Sequence, residues 1–216
     1  MKNYFSPIHL IFFILVLGIM LVLIQVELLS FAFLKLGLPP EAGLLVFSLS
    51  LLGSAVNFPI TRIKNHAPIQ ELTQSIYWGL LRIPIQQYHH NETQICINLG
   101  GCLIPIAVSI YLYSNSTLSL SSVLLGITII STISYFFSRP IQGLGIVMPI
   151  LIAPVSAALV GLSINPEQSA PLAYISGTLG VLIGADLLRM RDISQLGTPY
   201  ASIGGAGTFD GIFITG

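Results

Sequence analysis

The sequence predicts an all-α fold: a polytopic transmembrane helix bundle of six helices plus a Gly-rich seventh segment, read as a single transmembrane domain over residues 1–216. Three observations predict it. Of 216 residues, 54% are hydrophobic and 7% charged, with a mean hydropathy of +0.88; a soluble domain carries roughly 25% charged residues. Apolar runs near the roughly 20 residues needed to cross a bilayer recur from end to end. Lys and Arg fall on alternate connections with a strong bias to one side.

The first helix covers Pro7 to Phe33. Its Lys2 flank has the character of a signal peptide, but the apolar run from Ile8 to Ile24 exceeds the usual h-region and no small-residue cleavage site follows, so it counts as a span. The second covers Pro40 to Phe58, the third Gln94 to Tyr113 and the fourth Leu118 to Phe137. The fifth runs from Ile141 to Leu162, with Pro149 and Pro154 as kinks, and the sixth from Ala170 to Leu188. The Gly-rich segment from Ala201 to Gly216 is short for a crossing and is either re-entrant or truncated.

With this division, one side collects Lys2, Arg62, Lys64, Arg82, Arg139, Arg189 and Arg191, and the other has Lys35. The positive-inside rule then sets the N-terminus in the cytoplasm, with the chain multi-pass in the cell (plasma) membrane. The cytoplasmic loop at 59–93 carries Ile69, Leu72, Ile76, Leu80 and Ile83 at spacings of three and four, the pattern of an amphipathic helix. Tyr77 and Trp78 beside it favour the headgroup level, so an interfacial helix is expected there.

Membrane lipids are the expected surroundings. The net charge is zero and the basic residues are scattered, which excludes a nucleic-acid footprint. Cys96 and Cys102 match neither a redox nor a zinc spacing and are expected to pack as small apolar residues. His89, His90 and Glu92 lack a ligand at helical spacing to complete a set, so no metal and no cofactor is expected.

Acids inside a membrane are costly and mark functional sites by default. Glu27, near the outer end of the first helix, is placed to snorkel. Asp186 and Asp210 are not. Asp186 ends the run Gly180-Val181-Leu182-Ile183-Gly184-Ala185, whose small residues allow close helix approach, and Asp210 sits among Gly204, Gly205, Gly207 and Gly211. So many glycines predict a broken segment that lines a cavity or is buried in protein. Both acids fall in the cytoplasmic half, Asp186 only about 4.5 Å of helix rise before Arg189. Asn57 and Asn98, at the cytoplasmic ends of the second and third helices, are candidate polar neighbours, and Gly205 and Gly207 would let a substrate backbone come close.

Two resemblances attach to these residues. The run Gly184-Ala185-Asp186-Leu187-Leu188, then Gly204-Gly205-Ala206-Gly207-Thr208-Phe209-Asp210-Gly211, with Asn98-Leu99-Gly100-Gly101 and Arg139-Pro140, resembles an uncharacterised prokaryotic integral membrane family, a domain of unknown function, over roughly Leu51 to Gly216. Asp186 and Asp210 are also similar, in order and sidedness, to the aspartate pair of intramembrane aspartyl proteases of the presenilin and signal-peptide-peptidase type. Gly207-Thr208-Phe209-Asp210 is a loosened form of the Gly-x-Gly-Asp motif of those enzymes. That resemblance implies a di-aspartyl hydrolase acting on a transmembrane peptide.

The residues leave three functions open. Two nearby carboxylates that share a proton could hydrolyse a peptide without a metal. The same parts could couple protons or ions to a small solute in a transporter or channel, the size then favouring a homo-oligomer. Or the aspartates could hold backbone amides in a non-enzymatic assembly or scaffold protein.

Overall fold

The computed structural model describes residues 7–64, 73–78, 81–86, 92–141, 145–195 and 198–205, and the chain divides into two units, Met1–Phe47 and Ser48–Gly216. In the first, α1 (Pro7–Leu36) continues as a helix until Gly37, whose φ of +84° suits glycine and few other residues. The Leu38 N–H donates to the Phe33 carbonyl at 2.9 Å and the Gly37 N–H to that of Leu34 at 3.0 Å, the paired closure of a glycine-terminated helix. Pro40, with φ preset and no N–H to leave orphaned, then starts α2 (Pro40–Gly53).

In the second unit α6 (Ser169–Val181) is central. It packs against α3 (Ile104–Asn115), α4 (Leu120–Phe137) and α5 (Ile152–Ile164). Small residues set these contacts. A Cβ at Gly126 would lie 2.9 Å from the Ser176 Cβ, one at Gly180 would lie 2.7 Å from the Ile130 Cβ, and one at Gly184 would overlap the Ser131 carbonyl oxygen. Apolar chains cannot draw one another together in lipid as in water, so such close approach is the means by which membrane helices gain dispersion contacts. Ile130, Leu172 and Ile175 fill the seam, and the Ser109 and Thr178 hydroxyls meet across α3 and α6 at 3.1 Å. Among the described residues three stretches are long and apolar enough to cross a membrane: Phe13–Leu36, Leu120–Phe137 and Ser169–Ser194.

The fold is mostly helical but not all-α. Seven strands are present among the described residues. β1 (Asn57–Lys64) pairs antiparallel with β4 (Glu92–Asn98), and β4 pairs parallel with β7 (Tyr200–Ile203), in the order β1-β4-β7. β2 (Thr73–Trp78) and β3 (Leu81–Gln86) form one antiparallel pair, and β5 (Arg139–Ile141) and β6 (Gly145–Val147) another. Five sequence expectations are corrected accordingly. The second helix stops at Gly53, because Pro59 disfavours helix at Phe58 and lacks an N–H to donate. Residues 94–98 of the expected third helix are strand β4, since β-branched Thr93, Ile95 and Ile97 alternate there with period two. The fifth helix starts at Ile152, after the β5–β6 hairpin, rather than at Ile141. Tyr200–Ile203, at the head of the seventh segment, is strand.

The amphipathic helix gives way to β2 and β3, where Ile76 and Trp78 and then Leu81, Ile83 and Ile85 recur at every second position. Pro84 pairs with Ser75 there, whereas inside a helix it would remove a bond and clash. Ile69, Leu72 and Leu80 lie outside the described residues.

Candidate functional site

Past Val181, α6 widens into a π-helical segment, Leu182–Leu187, marked by the Leu188 N–H reaching the Ile183 carbonyl at 2.9 Å, five residues back. A second π segment, Leu99–Leu103, opens the helix that becomes α3. Both lie against the sheet, and the end of β7 runs between them. Asp186, half-buried in the first π segment, accepts a hydrogen bond on Oδ2 from the Gly204 N–H at 2.6 Å.

Gly204 is required on two counts. Its φ is +88°, and a Cβ there would lie 2.6 Å from the Gly101 carbonyl carbon and 2.7 Å from the Cys102 amide nitrogen. Gly101 is its mirror: a Cβ at 101 would overlap the Gly204 carbonyl oxygen. The two backbones therefore meet directly. Gly100, on the other side of the π segment, meets the Ser50 and Ser54 backbone in the same way, and the Ser50 hydroxyl donates to the Gly100 carbonyl at 2.5 Å.

Asn98 holds this junction from beneath. Its side chain is buried; Nδ2 donates to the Ser54 carbonyl at 2.7 Å and to Asn57 Oδ1 at 3.1 Å, and Oδ1 accepts from the Gly101 N–H at 2.7 Å. Three of an amide's four bonds are thus made, one of them an N-cap for the π segment. Asn57 Oδ1 also accepts from the Ser202 hydroxyl at 2.5 Å, tying β1 to β7 two residues before the Asp186 bond.

Of the residues singled out in the sequence, Asp186, Asn57, Asn98 and Gly205 come together around Gly204. Gly205, also at φ +88°, bonds back through its N–H to the Ser202 carbonyl at 3.3 Å. Gly207 and Asp210 lie outside the described residues. Sequence reasoning missed Ser50, Ser54 and Ser202, three small hydroxyl residues with nothing in their spacing to distinguish them. It also counted Arg189 only among the cytoplasmic cations. Instead Arg189 Nη2 donates to the Tyr135 and Ser138 carbonyls, each at 2.8 Å, with the guanidinium stacked 4.4 Å from the Tyr135 ring centre. A cation on the last carbonyls of α4 also complements that helix's dipole.

Burial pushes the Cys96 thiol up, which keeps it protonated and unsuited to attack as a nucleophile. Among the described residues no three His, Cys, Asp or Glu side chains converge as metal ligands. Among the described residues of this junction the one ionisable carboxylate is that of Asp186, set in the π segment that follows α6 and against the buried Gly204 backbone.

Comparison with curated proteins and with solved structures gives no match. The model of a family described as "Protein of unknown function (DUF1614)" matches residues 51–216, which includes both π segments, all seven strands and the Asp186–Gly204 contact. The chain belongs to the DUF1614 family.

Proposed function

We propose that the chain is an integral membrane protein whose N-terminus and sheet-bearing end face the cytoplasm, and that Asp186 and Asp210 form the dyad of a membrane-embedded hydrolase acting on a transmembrane peptide. One observation carries this reading: Asp186 binds the backbone of Gly204, the first residue of the Gly-rich stretch that bears Asp210. Asp210 follows Gly204 by six residues, a tether of at most about 20 Å. The membrane placement is supported by the three long apolar helices. Arg62, Lys64 and Arg139 belong to strands and Arg191 to the short 3-10 helix Met190–Gln195 that follows the π segment, all at the sheet-bearing end, which supports its cytoplasmic orientation.

The chemistry follows from two carboxylates that cannot both ionise at close range, so that one holds a proton. The ionised partner takes a proton from water while the water oxygen attacks the peptide carbonyl carbon. The protonated partner gives its proton to the carbonyl oxygen. Collapse of the tetrahedral intermediate breaks the C–N bond: the carboxyl that took the water proton gives it to the departing nitrogen, and the other carboxylate takes a hydroxyl proton from the intermediate, which leaves as the carboxylic acid. Gly205 and Gly207 give a substrate backbone room to approach, and Asn57 and Asn98 hold the floor beneath.

A proton- or ion-coupled transporter would be expected to carry its acid near the bilayer midplane, whereas Asp186 lies at the sheet end of its helix. A purely architectural role has an observation in its favour, because one partner of Asp186 is the chain's own backbone. Asp186→Asn separates the two, since an amide oxygen still accepts from the Gly204 N–H but cannot take or hold a proton. Purified, reconstituted protein is expected to cleave a transmembrane peptide, and Asp186→Asn and Asp210→Asn to abolish cleavage with the melting temperature unchanged. Full activity in either variant would exclude a dyad.

A further inference from the structure

β1 makes opposing demands on its surroundings. It is an edge strand among the described residues, so a row of backbone N–H and C=O groups needs water or another polar partner. Pro59 and a bulge at Ile60 blunt that edge without removing the need. Yet Val56, Phe58 and Ile60 are 41, 48 and 55% exposed. Hydrocarbon would strand the edge, and bulk water would leave the apolar side chains uncovered. The headgroup boundary of a bilayer satisfies both. Ile150 and Leu151, which follow the β5–β6 hairpin just before α5, are likewise 55 and 70% exposed.

Cations flank, in sequence or register, the residues that pack on a small cluster at the sheet. Ile63 of β1, Ile146 of β6 and Met190 all pack on the small cluster around Ile95 and Ile193. Arg62 and Lys64 flank Ile63, Arg191 follows Met190, and Arg139 pairs across the hairpin with Val147, next to Ile146. All four cations are exposed. Arg189, also beside Met190, is committed to α4 and to Asp192, the one ion pair formed among the described residues. Lys64 lies opposite Glu92 in the strand register, which leaves Arg62, Arg139 and Arg191 as the members with no acid paired to them among the described residues.

We propose that this end of the molecule is a binding site for anionic phospholipid headgroups, with Arg62, Arg139 and Arg191 holding phosphates while Phe58 and Ile60 enter the acyl boundary. Guanidinium groups suit phosphate through charge-assisted, bidentate hydrogen bonds. Basic residues beside membrane spans attract the anionic leaflet, each strengthening association by about fivefold. The site rests on the membrane placement proposed above but not on hydrolysis.

The full chain is reconstituted in bilayers of phosphatidylcholine mixed equally with phosphatidylglycerol, and the lipid retained after extraction is read by native mass spectrometry. Failure to enter bilayers at all would defeat the membrane placement itself. Retained lipid is expected to be enriched in phosphatidylglycerol, with each of Arg62→Gln, Arg139→Gln and Arg191→Gln lowering the enrichment by up to about fivefold and the triple variant returning it to the bulk ratio. Bulk-ratio retention by the parent, or unchanged enrichment in the variants, overturns the site. So does loss of the enrichment in inorganic phosphate but not in chloride of equal ionic strength, which would assign the cations to a free anion. Nitroxide labels at Ile60→Cys and Lys64→Cys check the depth: oxygen should relax the first and a water-soluble nickel chelate the second. Equal access of the chelate to both would remove β1 from the boundary.

Discussion

Replacing Gly204 by alanine tests the geometry of the junction directly, and Gly145 supplies the control. Both glycines have left-handed backbones, with φ of +88° and +100°. An L-residue there costs about 1–2 kcal/mol from the Cβ–carbonyl clash alone. At Gly145 a Cβ would meet nothing within 4 Å, so that strain is the whole effect. At Gly204 the new methyl would sit 2.6 Å from the Gly101 carbonyl carbon and 2.7 Å from both the Cys102 amide nitrogen and Cβ. Two of these three atoms are backbone and cannot swing aside, so an overpacking cost of about 1–3 kcal/mol is added. Gly204→Ala should therefore lose about 2–5 kcal/mol and Gly145→Ala about 1–2 kcal/mol. At about 2–4 °C per kcal/mol for a chain of this size, Gly204→Ala should melt about 2–12 °C below Gly145→Ala. A thiol-reactive dye reports melting in detergent, because Cys96 and Cys102 are buried until the second unit opens. Equal melting of the two variants would show that β7 does not press on the π segment, and the account of the junction would fail.

Arg189→Lys keeps a cation at the end of α4 but loses the fork that reaches the Tyr135 and Ser138 carbonyls together; it should lower stability by about 1–3 kcal/mol, read in the same melt. Asn98→Asp is nearly isosteric but removes both donors to Ser54 and Asn57 and buries a charge, so a loss of about 2–4 kcal/mol is expected, and a neutral result would discount the network. Burial raises the Cys96 thiol pKa in the folded chain. The folded state then holds a proton that the unfolded state releases, so stability is full below the ordinary thiol range near about pH 8.5 and falls as pH rises through it. Cys96→Ala should remove that component, visible as a flatter melting profile between about pH 8 and about pH 10.

The helices that sequence defined well are those where length and hydropathy alone decide. The fourth and sixth were expected at Leu118 to Phe137 and Ala170 to Leu188, and the structure has α4 at Leu120–Phe137 and helix from Ser169 to Leu187. The close approach at Gly180 and Gly184 was also legible, because small residues four apart leave one face of a helix open. The sheet was not. β4 is a seven-residue run preceding a helix, and a short apolar run reads equally well as either state. The alternation of Thr93, Ile95 and Ile97 permits a strand there, but pairing with Asn57–Lys64 and, over a hundred residues away, with Tyr200–Ile203 selects it, and no local pattern encodes partners so distant. For β2 and β3 the error was of period: spacings of three and four outweighed the alternation around Trp78 and Leu81 and the strand-compatible Pro84. Asp186 was legible as an acid in an apolar helix, but its partner was not, because a backbone N–H belongs to every residue but proline and leaves no mark in sequence.

That last point bears on what Asp186 is for. Around Gly204 the chain brings backbone against backbone at Gly100, Gly101 and Gly204, and such a junction near lipid must have its polar groups satisfied from within. Neutral side chains do this elsewhere in the site. Ser50 serves the Gly100 carbonyl, and Asn98 serves the Ser54 carbonyl and the Gly101 amide. Only Gly204 is served by a carboxylate. An asparagine would accept the same bond without the cost of an ionisable group in an apolar helix, a cost that membrane proteins rarely bear except for function. The bond to Gly204 therefore accounts for an acceptor at position 186 but does not by itself call for an acid. Asp186→Asn removes the negative charge and with it the capacity to exchange a proton, while leaving an acceptor for the Gly204 N–H in place.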